Sequence, residues 1–468
     1  IKSFYSLNLD GKAFIPETTF HFRKISLMHS GYWSHWTFEK IFRFRSKKLQ
    51  LENISLKKKL NIKENFFKYA KIFKSTALNI SLNKKIFFNN LSFDKKIYFD
   101  FFKKNKFFNF HYNLREINLK NIKNNEVIRT LFFKNLGKTQ CKFENFLIEH
   151  MHNCLPKIYL ENYNLLESQY KTLNWPSNPD FILATYYEYD EIFKIYCANK
   201  IIRRSKFFLF QHGGDEGIYD ENKKFKFLNI TNHICDKFFS WGKNTEHKKK
   251  EFFYIKKQLN RTKNFVSPEN KKILFLPLFF QETIRDDAAA GTFRFNFALI
   301  NQIIFRNINT LYEATINRAI YNSHARPMDM TENQNFIKLI KLKNKKLKFL
   351  DTRNNFLDEI QKYNLIIHFY LSTPFFESML LNRPSIVIFE KKMHFKFNKK
   401  FNLIIKKLFK QKIFFSSAKK SSDFINSNCK NLENWWNSKA IQDLRVEVCE
   451  NYCNNYNAES IVVKKMFD

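Results

Sequence analysis

Three of the eight glycines in this 468-residue chain, Gly213, Gly214 and Gly217, fall within five positions, directly after the apolar run 207–210 and the pair Gln211-His212. A buried strand that ends in such a cluster must turn sharply. Glycine reaches positive φ and lets main-chain N–H groups be approached closely. In open α/β sheets a turn at the carboxyl end of a strand is where ligands bind, so the pattern places His212 at the mouth of a cleft. The alternative is a plain glycine turn that carries a solvated histidine.

The flanking sequence predicts the sheet that such a turn requires. Phe181–Ala184 reads as a strand, 190–200 as a helix and 207–210 as the next strand, a βαβ unit of the kind that builds parallel sheets. A further short strand is predicted over 234–241, with Asp236 at its start. The polar, lysine-rich stretch 243–270 reads as an interdomain linker. After it, 271–280 (KKILFLPLFF) is the most strongly strand-like run of the chain and opens a second alternation. A helix over 297–317, a strand leading to Arg326, a strand over 346–351, a short helix over 355–362, a strand over 365–373, a helix and a strand over 385–390 make a doubly wound half. At Ser372-Thr373-Pro374, Pro374 suits the first helical position and Thr373 the N-cap. Free N–H groups there would stabilise a phosphate. Glu377 follows one turn later.

Length alone implies two domains. The net charge of +38, from 81 Lys+Arg against 43 Asp+Glu, raises nucleic acid or an anionic membrane as partners. Yet the chain is also rich in Phe (57 residues), Asn and Ile. These share A/T-rich codons with Lys, so codon bias accounts for much of the excess, and a dedicated nucleic-acid surface is not expected. Seven cysteines form no CxxC pair and complete no metal set, which points to a reducing cytosol. No apolar run reaches the roughly 20 residues of a membrane helix. With Ile1 where a methionine would stand, the chain reads as lacking its natural start. Residues 47–125 alternate Lys/Asn with Phe/Ile clusters and read as a low-complexity insert, or as helices whose lysines snorkel around a phenylalanine face. Asp286-Asp287 is discounted as a metal motif.

The motifs QHGG with Gly217, then ICDKFFSWGK over 234–243, resemble those of the transferase family associated with O-antigen and surface-carbohydrate biosynthesis. YWSHW at 32–36 matches its aromatic start loosely. Arg326 with Pro327 and Asp329, the Ser372-Thr373 turn with Glu377, the Asn382-x-Pro384-x-Ile386 block and the Trp435-Trp436 pair match further along. The chain departs from the pattern at Asp215, Glu216 and Thr231. The resemblance implies an α/β, GT-B-like fold, with two Rossmann-like domains facing a cleft. It divides into an N-terminal acceptor-side domain over 1–255, a C-terminal nucleotide-donor-binding domain over 271–430, and a closing C-terminal helix over 431–468 that packs across both.

It also implies a glycosyltransferase in which His212 is the general base. Gly213, Gly214, Arg326, Ser372, Thr373 and Glu377 would hold the donor, and Gln211, Gly217 and Asp236 would support the site. No metal and no cofactor are expected beyond the nucleotide-sugar co-substrate. The partners implied are that donor, a polysaccharide or lipid-linked acceptor, and an anionic membrane face contacted peripherally from the cytoplasm. CDP-polyol or glycerol phosphate transfer stays open on the same residues. So does a non-enzymatic role as a basic RNA- or membrane-binding protein.

Overall fold

The computed structural model describes residues 5–7, 52–54, 86–89, 110–112, 125–135, 137–151, 155–172, 175–185, 187, 190–214, 217–220, 234–242, 250–252, 264–269, 271–277, 297–316, 322–326, 334–350, 355–390 and 397–453. Residues 32–36, Asp215, Glu216, Thr231, Asp286, Asp287, Pro327 and Asp329 lie outside them.

Two six-stranded parallel sheets organise the chain. Ahead of them a small parallel pair joins β1 (Tyr5–Leu7) to β2 (Glu52–Ile54). The first large sheet holds β3 (Ile86–Asn89), β4 (Phe110–Tyr112), β5 (Phe181–Ala184), β6 (Lys206–Phe210), β7 (Lys237–Ser240) and β8 (Lys250–Phe252), in the order β4-β3-β5-β6-β7-β8. The second holds β9 (Lys272–Leu276), β10 (Asn322–Ala325), β11 (Lys348–Phe349), β12 (Leu365–His368), β13 (Ser385–Ile388) and β14 (Phe414–Phe415), in the order β11-β10-β9-β12-β13-β14. Both orders step outward in each direction from a central strand, which is double winding. Apolar runs such as Leu365 to Ile367 in β12 suit strands covered on both faces, and all four residues of that strand, His368 included, are buried. This is the expected α/β, GT-B-like architecture of two Rossmann-like domains.

Helices supply the covering layers. α1 (Glu191–Ile202) starts at Asp190, whose carboxylate accepts the N–H of Phe193 at 2.9 Å. α2 (Phe297–Ile316) and α3 (Gln334–Lys343) follow β9 and β10. α4 (Phe356–Glu359) precedes β12, and α5 (Thr373–Leu380) follows it. α6 (Lys399–Lys410), α7 (Leu432–Trp436) and α8 (Lys439–Tyr452) complete the helices that matter here.

Two expectations need correction. Residues 47–125 are not simply an insert, because β3 and β4 lie within them and extend the first sheet. Phe87 of β3 is fully buried, 4.9 Å from the Tyr196 ring and 5.3 Å from that of Trp175. Its apolar run is only the three residues Ile86 to Phe88, too short to show a period, and the flanking lysines and asparagines match the composition around it, so a helix and a strand look alike there. The stretch 243–270 is likewise not all linker. β8 pairs with β7, and Phe265 is buried, its N–H donated to Asn437 Oδ1 at 2.9 Å.

The C-terminal helices fasten the second domain and reach the first. Asn382 sits at φ +53° just beyond α5. Its Oδ1 accepts from Trp436 Nε1 at 2.8 Å and from Gln442 Nε2 at 3.1 Å. Arg445 of α8 donates to the Met379 carbonyl at 3.0 Å. At its far end α8 meets the first domain, where a Cβ on Gly242 would lie 2.1 Å from the Asn451 carbonyl oxygen and 2.4 Å from Tyr452 Cα. Backbone cannot yield as a side-chain tip can. Gly242→Ala is therefore expected to lower the unfolding free energy by about 1–3 kcal/mol or more, read from the midpoint of urea denaturation.

Candidate functional site

The glycine turn is held from beneath by Gln211, which is 2% exposed. Its Nε2 donates to the Gly213 carbonyl at 2.6 Å, and its Oε1 accepts the Trp241 N–H at 2.7 Å. One donor and one acceptor on one side chain are needed, which a glutamate or a leucine lacks. The QHGG and WG motifs are thus two halves of one structure, the ends of β6 and β7 tied together. His212, next along, is exposed at the carboxyl end of β6.

Beyond it the turn leaves its own domain. The Gly214 N–H donates to Thr373 Oγ1 at 3.0 Å, a contact between residues 159 positions apart. A Cβ at Gly214 would lie 2.5 Å from Phe376 Cδ2 and 3.1 Å from Thr373 Cα, so only glycine allows this approach. Gly217 adopts φ +88°, and its carbonyl accepts from Asn398 Nδ2 at 2.7 Å. Asn398 in turn donates its N–H to the Ile218 carbonyl at 3.0 Å and caps α6 through the Phe401 N–H at 2.8 Å. Tyr219 stacks on Phe397 with centroids 4.8 Å apart. The histidine-glycine turn therefore lies on the seam between the two sheets, pinned to the second one at Thr373 and at Asn398. Asn398 carries a sequence signal, an Asn just before an amphipathic lysine-rich helix.

α5 begins at Thr373, with Ser372 as an N-cap that makes no side-chain cap bond, and Pro374 in its first turn. Thr373 is thus the first helical residue and not the cap, and its hydroxyl accepts from the Gly214 N–H. That pairing also commits the Gly214 N–H, which the sequence reading assigns to a donor phosphate. The positive end of α5 still lies at the seam, against the turn that carries His212.

Arg326 follows β10, its N–H donated to the Phe275 carbonyl at 2.9 Å and its guanidinium 5.1 Å over the Phe356 ring. Burial pulls its pKa down, while Glu359, Tyr370 and Glu377 push it up. Arg326 and Glu377 thus lie within electrostatic reach of each other. Both are more enclosed than cleft-facing residues should be, at 6% and 3% exposed. Arg326 is still bonded to β9 through its main chain with its guanidinium over an aromatic ring, and Glu377 lies in a helix whose residues 374–380 are all buried. Asp236 lies elsewhere. Its Oδ2 accepts the Phe207 N–H at 2.8 Å and its own N–H donates to the Phe207 carbonyl at 2.8 Å. This is the start of β6, the end away from His212, so Asp236 fixes the β6–β7 register and does not support the site.

His368, which sequence reasoning does not single out, ends β12 just before the turn into α5. It is fully buried, edge-on to Phe375 at 5.7 Å, and neither ring nitrogen has a hydrogen-bond partner in the protein. Burial pushes its pKa down to about 3. A histidine held neutral this way contributes stability at pH above the unfolded value of about 6.5, and that stability is lost as pH falls toward 3. His368→Met is expected to flatten the fall in unfolding free energy between pH 6.5 and 4 by up to about 1.4 kcal/mol per pH unit, measured by urea denaturation at each pH.

Among the described residues no group of three His, Cys, Asp or Glu side chains is placed to hold a metal, and no helix is long and apolar enough to cross a membrane.

Comparison with solved structures finds similarity to the pneumococcal O-GlcNAc transferase GtfA in complex with UDP and GlcNAc (8% identity, TM-score 0.36, 64% of this chain and 58% of that one). TarM is similar at 10% identity and TM-score 0.35, over 61% of this chain and 54% of that one. MurG from Acinetobacter baumannii is similar at 8% identity and TM-score 0.39, over 82% and 98%. This chain thus covers less than two thirds of the length of the first two. A search of the curated proteins finds no match. The match to a family model is far more extensive, taking in residues 2–467, and on that ground the chain belongs to the LIC12162 family of transferases.

Proposed function

We propose that this transferase moves a sugar from a nucleotide-activated donor to a surface-polysaccharide precursor, O-antigen- or capsule-like, or to a lipid-linked one, working from the cytoplasm at the membrane face. The observation that carries the reading is the 3.0 Å bond from the Gly214 N–H to Thr373 Oγ1. That bond joins the turn that carries the exposed His212, at the carboxyl end of one sheet, to the N-terminus of the helix that follows β12 of the other, which supports the reading.

Such a seam has the two things that transfer needs. His212 takes the proton from the acceptor hydroxyl as it attacks the anomeric carbon, a role that imidazole performs near neutral pH. The leaving nucleoside diphosphate carries away the bonding pair. Its charge is met by the positive end of α5, the Gly213 main chain and the Arg326 guanidinium. In this reading no metal is required. Ser372 and Thr373 shape the turn under the phosphates, Glu377 meets the donor's ribose, and Gln211 with Gly217 keeps the histidine turn in place.

Incubating the purified chain with a panel of nucleotide sugars and CDP-polyols tests this. Release of free nucleotide from a nucleotide sugar is expected. Consumption of CDP-polyols alone would replace sugar transfer by polyol-phosphate transfer, and turnover of neither would sink the reading. Arg326→Ala is expected to weaken donor binding roughly tenfold to a hundredfold, the range of a hydrogen bond to a charged group, by calorimetric titration. It should also lower the melting temperature, since the side chain is buried.

A further inference from the structure

Helix α3, on the outer side of the second domain, carries a surface that this site does not use. Ile337 and Ile340 face inward and are buried. At 100° per residue, Leu339 and Leu342 then fall on the opposite crest of the helix, and they are 50% and 72% exposed. A helix that is merely solvated on its outer side fills that crest with polar residues. Here leucines occupy it, with Lys338 on one flank and Lys343 on the other. Lys345, Lys346 and Lys348 continue the basic surface into β11, and all of these lysines are exposed.

Between 334 and 350 there are six lysines and neither an aspartate nor a glutamate. Lys343 reaches Glu313 at 3.6 Å, but both side chains are more than half exposed, so this pair neutralises little. Lys341 lies 5.1 Å over the Phe349 ring, its charge undiminished. The stretch therefore combines a narrow apolar ridge with positive charge on both sides.

We propose that this face of α3 and the lysine-rich turn after it form a docking surface for an anionic membrane. Leu339 and Leu342 enter the boundary between headgroups and acyl chains, and the ammonium groups lie among the lipid phosphates. Charge complementarity selects the occupant. A nucleic acid would use the lysines but gains nothing from the two leucines, which give a base no ring to stack on. The proposal deepens the reading of a membrane-presented acceptor and rests on it for its purpose. The surface can be tested without it.

The test uses the whole chain with vesicles of phosphatidylcholine, alone or with roughly a third phosphatidylglycerol, at about 0.1 M salt, where surface charges still act over ~10 Å. Wild-type protein is expected to co-sediment with the anionic vesicles and not with the neutral ones. Leu339→Ser/Leu342→Ser, and separately Lys338→Gln/Lys345→Gln/Lys346→Gln, are each expected to weaken binding roughly tenfold or more. Their melting temperatures should stay unchanged, because every substituted side chain is exposed. Wild type that ignores anionic vesicles, variants that bind as wild type does, or lysine-dependent binding to poly(U) in place of vesicles would overturn the proposal. Donor turnover separates it from the transfer reading. Loss of turnover in His212→Ala with vesicle binding intact concerns the reaction, and loss of vesicle binding in the leucine variant with turnover intact concerns the surface.

Discussion

His212→Ala is expected to lower kcat by ~10²–10⁴-fold, the contribution of a positioned base, while the dissociation constant for the donor stays near the wild-type value. The separation follows from how the turn is built. Gln211 holds Gly213 and Trp241 from below, and Gly214 is bonded to Thr373. The imidazole is exposed and none of these bonds uses it, so truncating it leaves the shape of the turn in place. Thermal stability should change by no more than about 0.5 kcal/mol, as for other surface substitutions. Gln211→Leu supplies the contrast, since it removes both bonds and should lower stability and turnover together. Full turnover by His212→Ala on its identified donor and acceptor would reduce the histidine to a passenger on a glycine turn.

Trp436→Ala is expected to cost about 3–5 kcal/mol of stability, the range for emptying a buried large aromatic site, read from urea unfolding. Trp436 is fully buried in the cluster that also contains Phe375, Phe376, Met379 and Leu380 of α5. Its indole N–H bonds Asn382, at the end of α5. Removing it therefore loosens the helix whose other end meets the Gly214 turn, and donor affinity should fall with stability. Trp436→Phe keeps most of the packing and loses the bond, so about 1 kcal/mol is expected. A cost under 1 kcal/mol for the alanine variant would show that α7 and α8 do not brace α5.

How much of this was open to reading from the sequence depended on distance along the chain. The strands on either side of α1 are legible because unbroken apolar runs alternate with a capped helix, and the glycine cluster is legible because glycine is so scarce here. β3 and β4 are hidden by a composition in which strand and flank look alike. The position of Asp236 is decided by the β6–β7 register, which a lone acidic residue beside a strand does not reveal. Thr373 reads as an N-cap from local sequence, whereas it is the first helical residue and the partner of its hydroxyl lies 159 residues away. Gly242 looks like a turn glycine until α8 is seen to press on it. Local chemistry can be read from neighbours in sequence, whereas a seam between two domains is made of contacts that no local pattern carries.

In the proposed function the turn at 211–214 and the start of α5 at 372–377 act as one site. Amide hydrogen exchange, followed with and without a nucleoside diphosphate such as UDP or CDP, tests it most directly. Both segments are expected to gain protection together at the same nucleotide concentration, and Arg326→Ala to shift both to higher concentration. Protection of one segment without the other, or only of residues remote from the seam, would contradict it.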